Sequence, residues 1–115
     1  MLDLSHNKLE ALDWISPNLR ELSLTANQIS LVKVPKSESL IHLSLSYNPI
    51  DDHQLVNIVK CFPKLFSLDL AWTNVQGLQN AVDCLKVLPD LRMVSFNGAP
   101  VSLCKNYRAI LKQNF

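Results

Sequence analysis

The sequence predicts a right-handed α/β solenoid, with a parallel sheet on the concave face and helices and 3₁₀ turns on the convex face. Three observations lead there. Four segments share one template, L-x-x-L-x-L-x-x-N-x-L: LRELSLTANQI (19–29), LIHLSLSYNPI (40–50), LFSLDLAWTNV (65–75) and LRMVSFNGAPV (91–101). Their starts lie 21, 25 and 26 residues apart, a period that marks a repeated supersecondary unit. Inside each copy the L-x-L core alternates with period two, as a half-buried strand does. One unit cannot bury its leucines alone, whereas a stack of three or more makes a continuous core.

Taken in order, the opening MLDLSHNKL fits the template once its first leucine is passed. Strands are expected over 2–4, 22–24, 43–45, 68–70 and 94–96. Asn7, Asn27 and Asn48 recur where the chain leaves the strand. An amide there can donate to and accept from backbone groups that the turn leaves unpaired. Thr73 can do part of that work and Ala99 cannot, so something else must finish the stack.

The convex segments EALDWISPN and SLVKVPKSES are short and carry Pro or Ser, which predicts extended or 3₁₀ turns. In DDHQLVNIVKCF the residues Leu55, Ile58, Val59 and Phe62 fall at i, i+3, i+4 and i+7, giving a helix over 52–61 that Asp51 or Asp52 caps. Leu78, Ala81, Val82 and Leu85 repeat the pattern over 78–87. Leu103, Tyr107, Ile110 and Leu111 predict a last helix over about 103–113. All of this is one domain of about five repeats, the first incomplete. The missing front of that repeat leads us to expect a piece of a longer chain.

On the template and its spacing the chain resembles the leucine-rich repeat family. Gly98, Pro100, Tyr107 and Arg108 make its end similar to the cap of axonemal dynein light chain and of the spliceosomal U2 A-prime protein. The resemblance implies structural roles for Tyr107 and Arg108. It also implies an adaptor in cilia or the cytoskeleton, a subunit of a nuclear ribonucleoprotein, or a regulatory subunit of a phosphatase. Of these the ciliary or cytoskeletal adaptor is the first expectation.

Composition narrows the functional classes. Eleven Lys and Arg against ten Asp and Glu give a net charge of +1, without the basic footprint of direct nucleic-acid binding. The apolar runs are too short for a membrane span. Two glycines, Gly77 and Gly98, leave no phosphate-cradling loop. Three cysteines, Cys61, Cys84 and Cys104, show no metal-ligand spacing and read as reduced, buried thiols of an intracellular, cytoplasmic protein. Asp51, Asp52 and His53 adjoin one another at a helix start, where carboxylates cap N–H groups. Catalysis would need converging titratable partners, and no such pattern stands out. We therefore expect no enzyme, no cofactor, no metal and no small-molecule substrate.

A protein partner is expected on the concave sheet. The template leaves Glu21, His42, Asp69 and Met93 exposed there between buried leucines, and two neighbouring rungs end in Tyr47 and Trp72 with His6 on the same line. Exposed Tyr and Trp are common protein-binding anchors. Lys105, Arg108 and Lys112 share one side of the last helix, which reads as a solvated face.

Overall fold

Alternation places the template leucines inside, and the strands pair as their register requires. The computed structural model describes residues 1–115. Its strands are β1 (Leu2–Asp3), β2 (Ala11–Leu12), β3 (Glu21–Ser23), β4 (Leu31–Val32), β5 (His42–Ser44), β6 (Ser67–Asp69) and β7 (Met93–Ser95). The helices are α1 (Asp52–Cys61), α2 (Leu78–Leu85) and α3 (Tyr107–Asn114), with a 3₁₀ turn at Pro100–Leu103. A five-stranded parallel sheet runs β1-β3-β5-β6-β7. Leu2 faces Leu22, which faces Leu43, then Leu68, then Val94.

The strands end one residue earlier than expected, yet the ladder continues past them. Leu4 and His6 donate N–H to the carbonyls of Ser23 and Thr25, and Leu24 and Ala26 to those of Ser44 and Ser46. Leu45 and Tyr47 donate to Asp69 and Ala71, and Leu70 and Trp72 to Ser95 and Asn97. Each rung therefore hands its N–H groups to the next. The core behind this sheet includes Leu24, Leu45, Leu70 and Phe96, all at most 1% exposed.

The asparagine ladder lies at the turns. Asn48 donates to Leu24, Leu45 and Ser46 carbonyls at 2.9, 3.0 and 3.1 Å, and its Oδ1 accepts Ile29 N–H at 3.0 Å. Asn27 does the same for Leu4, Leu24 and Leu9. Asn7 is exposed and bonds only within its own rung. Thr73 reaches Leu70 alone, at 2.7 Å.

On the convex side the first two rungs are extended, and β2 pairs with β4 in parallel. Gln54 of α1 accepts Val32 N–H at 2.8 Å, so the first helix takes over where that small sheet stops. Asp51 is the N-cap of α1, accepting His53 N–H at 3.1 Å. Asp52 instead accepts Gln76 and Gly77 N–H at 2.8 and 3.0 Å, tying α1 to the loop before α2. Helix α2 ends two residues before the expected boundary, at the Lys86 C-cap.

The C-terminal cap corrects the sequence reading most. No continuous helix runs over 103–113. Pro100 starts a 3₁₀ turn, Cys104 is extended, and Asn106 takes a left-handed φ of 62° before α3 begins at Tyr107. The 3₁₀ turn aims Val101 inward, and Leu103 is left 88% exposed rather than on the apolar side. Arg108 is exposed and makes no ion pair. Tyr107 is buried, and its hydroxyl accepts Phe96 N–H at 3.0 Å. That donor belongs to the last rung, which has no following strand to receive it. The phenol finishes the ladder.

Tyr107→Phe should therefore cost about 1–3 kcal/mol, because it strands a buried N–H; urea melts measure it. Burial also raises the Tyr107 phenol above its ordinary 10.0. The folded state thus favours the neutral phenol, and this contribution is complete below the unfolded value and lost as pH rises through the folded one. Melts in alkaline buffer should fall less steeply for Tyr107→Phe than for the parent.

All three cysteines are free thiols. Cys61 is buried and donates to Val34 carbonyl at 3.3 Å, whereas Cys84 and Cys104 are only half-buried. Partial burial still raises the Cys84 thiol, which lowers its reactivity.

Candidate functional site

Every rung must turn sharply off its strand, and the residue before the Asn position absorbs that turn. His6, Ala26, Tyr47 and Trp72 occupy it with φ of 59, 59, 57 and 57°, and Gly98 follows with φ 76°. Positive φ is costly for bulky side chains, so Gly98 is the residue best suited to the position. Two of the largest side chains nevertheless occupy it in consecutive rungs. Backbone strain of this kind clusters at functional sites.

The two rings come together. Tyr47 and Trp72 stack with centroids 5.8 Å apart and planes 13° from parallel, and they stay 55% and 56% exposed. The stack continues onto the next rung, because the Trp72 ring lies directly over Gly98. A methyl group at Gly98 would stand 2.3–2.6 Å from three ring carbons. Gly98 thus serves two purposes, its left-handed backbone and the seat for Trp72. In the sequence Gly98 stands out as part of the cap motif. The available signal was its template position directly after Trp72.

Beside this ridge the outer strand face is polar. Ser5 meets Ser23 at 3.0 Å, Thr25 meets Ser44 and Ser46 at 2.9 and 3.2 Å, and Ser23 meets Thr25 at 3.3 Å. This hydroxyl chain crosses three rungs. Asp69 turns one oxygen to Ala71 N–H at 3.0 Å, and Asp3 does the same for Ser5 N–H at 2.9 Å. The Ser5 hydroxyl, donating to Asp3, is the main reason the Asp3 carboxyl titrates below its usual range.

The remaining expected residues lie on a second row, at the start of the strands. Glu21 and His42 are 3.9 Å apart, and His42 meets Phe66 edge-on with centroids 6.0 Å apart. Met93, 60% exposed, lies at the far end of this row. It forms with Asp69, Ser95, Leu111, Lys112 and Phe115 a groove of about 620 Å³ between the last strands and α3. The structure thus joins Tyr47 to Trp72, Glu21 to His42, and Asp69 to Met93. It keeps the first pair apart from the row of Glu21 and Met93, at the opposite end of the strands. The sequence pattern did not foresee Leu111 and Phe115 at the concave face, because they belong to the cap.

A family model described as Leucine Rich repeat matches residues 36–53. Leucine-rich repeat-containing protein 43 of Mus musculus is 35% identical over 117 residues, covering 93% of this chain. The chain belongs to the leucine-rich repeat family. It spans 17% of the length of that relative. The structure of the APL1 leucine-rich repeat domain is similar with TM-score 0.65 at 23% identity, over 82% of this chain and 23% of that one. The Drosophila melanogaster SNF/U2A′ complex holds a chain with TM-score 0.54 and 28% identity, matched over 98% of this chain and 53% of that one. This leucine-rich repeat domain is accordingly a protein–protein interaction module, of a family typically without enzymatic activity.

Proposed function

We propose that this domain is a non-enzymatic adaptor that holds a partner protein across its concave sheet, in a ciliary or cytoskeletal assembly of the cytoplasm. The observation that carries the binding reading is the Tyr47–Trp72 stack, two half-exposed rings held on strained backbone and seated on Gly98. Rigid aromatic anchors lose little entropy on binding and dominate hot spots. Glu21, His42, Asp69 and Met93 extend the contact across the sheet. Support for the ciliary setting comes from the resemblance of the cap to that of axonemal dynein light chain. A second setting, a protein-binding subunit of a nuclear ribonucleoprotein, draws support from the likeness to a chain of the SNF/U2A′ complex.

Truncating each ring should cost about 2 kcal/mol or more of binding. Both side chains stand outside the leucine core, so the Tyr47→Ala, Trp72→Ala double variant should keep its melting temperature and lose its partner in pull-downs. If capture persists in that variant and charge reversals at Lys105, Arg108 and Lys112 abolish it, the binding face is the C-terminal cap, with Lys105 before α3 and the other two on it. Proximity labelling in ciliated cells separates the two settings, since nuclear ribonucleoprotein neighbours would reject the ciliary one.

A further inference from the structure

The first rung lies open where the later ones are closed. Leu2 and Leu4 are half-buried, whereas their counterparts Leu22, Leu24, Leu43, Leu45, Leu68 and Leu70 are buried. Leu9 is 38% exposed, while Ile29, Ile50 and Val75 at the same template position are fully buried. Trp14 stands two residues past Leu12, as Val34 stands past Val32 on the paired strand. Val34 packs on the core, yet Trp14 is 63% exposed. A solenoid that ends in water closes with a polar outer face. At this end the apolar core reaches the surface in section.

The polar groups of the same end are arranged as in the interior of the stack. There the Asn of each rung serves the rung before it. Asn27 Oδ1 accepts the Leu9 N–H and Asn48 Oδ1 the Ile29 N–H, and both amides donate back to the Leu4 and Leu24 carbonyls. Asn7 Nδ2 reaches only Leu4 and Ser5 of its own rung, and its Oδ1 accepts no hydrogen bond. Leu4 and His6 turn their N–H groups toward the second rung. Alternation along the strand therefore turns the backbone groups of Asp3 and Ser5 outward, as at any sheet edge. Asp3 holds the Ser5 N–H just as Asp69 holds the Ala71 N–H inside the stack, so that contact is compatible with a neighbouring strand.

Asn7 and Leu9 select what covers this end. A second copy paired edge to edge through β1 about a two-fold axis would run antiparallel to it. It would bring the start of its strand to Asn7, with no turn there, and Leu9 would stay bare. A rung of template form laid parallel to β1 meets every group. Its L-x-L leucines cover Leu2 and Leu4, and its strand N–H groups reach the Asp3 and Ser5 carbonyls. The N–H two residues past its turn reaches Asn7 Oδ1. The relative of which this chain spans 17% has chain enough to supply such a rung. We propose that this end seats a further leucine-rich rung of the same polypeptide, entering ahead of Met1.

The test lengthens the domain with a stand-in rung, a copy of residues 19–41 placed directly before Met1, so that Met1 takes the place of His42. Hydrogen exchange of the Asp3 amide should slow by about 50-fold or more, because it gains a strand partner. The melting midpoint should rise by about 5 °C or more, and a copy with the same residues in scrambled order should give neither effect. Asn7→Ala should lower the midpoint by about 1 °C or less in the 115-residue chain and by about 5 °C or more in the lengthened one. That contrast reads the Oδ1 bond itself, which a general gain in stability would not. An unprotected Asp3, equal effects from the scrambled copy, or equal losses from Asn7→Ala in both chains overturns the proposal. So does a dimer of the 115-residue chain in sedimentation with Asp3 protected, which would make the occupant a second copy. Full protection of Asp3 by micromolar free peptide 19–41 would assign the rung to a separate chain and likewise overturn it.

Discussion

Asn48→Ala should destabilise the domain by about 3 kcal/mol, on the order of 10 °C or more in melting temperature. The side chain is 3% exposed and makes four hydrogen bonds, three to carbonyls and one from Ile29 N–H. Alanine leaves the Leu45 carbonyl and the Ile29 N–H without a partner, one in each of two rungs, while the Leu24 and Ser46 carbonyls keep their bonds from Asn27 and from Ala26 N–H. The natural control is Asn97, which is exposed and whose side-chain amide makes no hydrogen bond. Asn97→Ala should cost about 0.5 kcal/mol or less, as for surface positions away from special features. Urea melts of both decide the matter, and equal losses would mean the ladder does not bear on stability.

Phe96→Ala should cost still more, about 3–5 kcal/mol, the usual range for emptying a buried aromatic site. Phe96 is fully buried, and it replaces leucine at the inner position of the last rung. Its neighbourhood is closed by Tyr107 from the cap, so the void cannot collapse without pulling that helix inward. The void opens beside the backbone bond from the Phe96 N–H to the Tyr107 phenol, so that bond contributes less in the variant than in the parent. A variant combining Phe96→Ala with Tyr107→Phe should therefore lose less than the sum of the two single changes, since neighbours in one packed unit are not additive. Strict additivity in denaturant melts would show that cap and last rung pack independently.

What could be read directly from the residues is the part of the molecule built by repetition. The L-x-L alternation decides which side chains point inward, and the recurring Asn decides where the chain turns, because both depend on spacing within one rung. Helix α1 was legible for the same reason, with its apolar residues at helical intervals and Asp51 before it. Tyr47 and Trp72 were recognisable as neighbours once the template was aligned. Tertiary structure decided what depends on contacts between rungs or against the cap. Only the stacked backbone could place Trp72 over Gly98, since that contact joins residues a full repeat apart. The cap broke from its helical pattern because Pro100 and the left-handed Asn106 interrupt it, and because Tyr107 must reach the unpaired Phe96 N–H. Apolar spacing alone could not place Leu111 and Phe115 beside Met93, because the angle at which α3 returns is set by burial of Tyr107 rather than by its own sequence period.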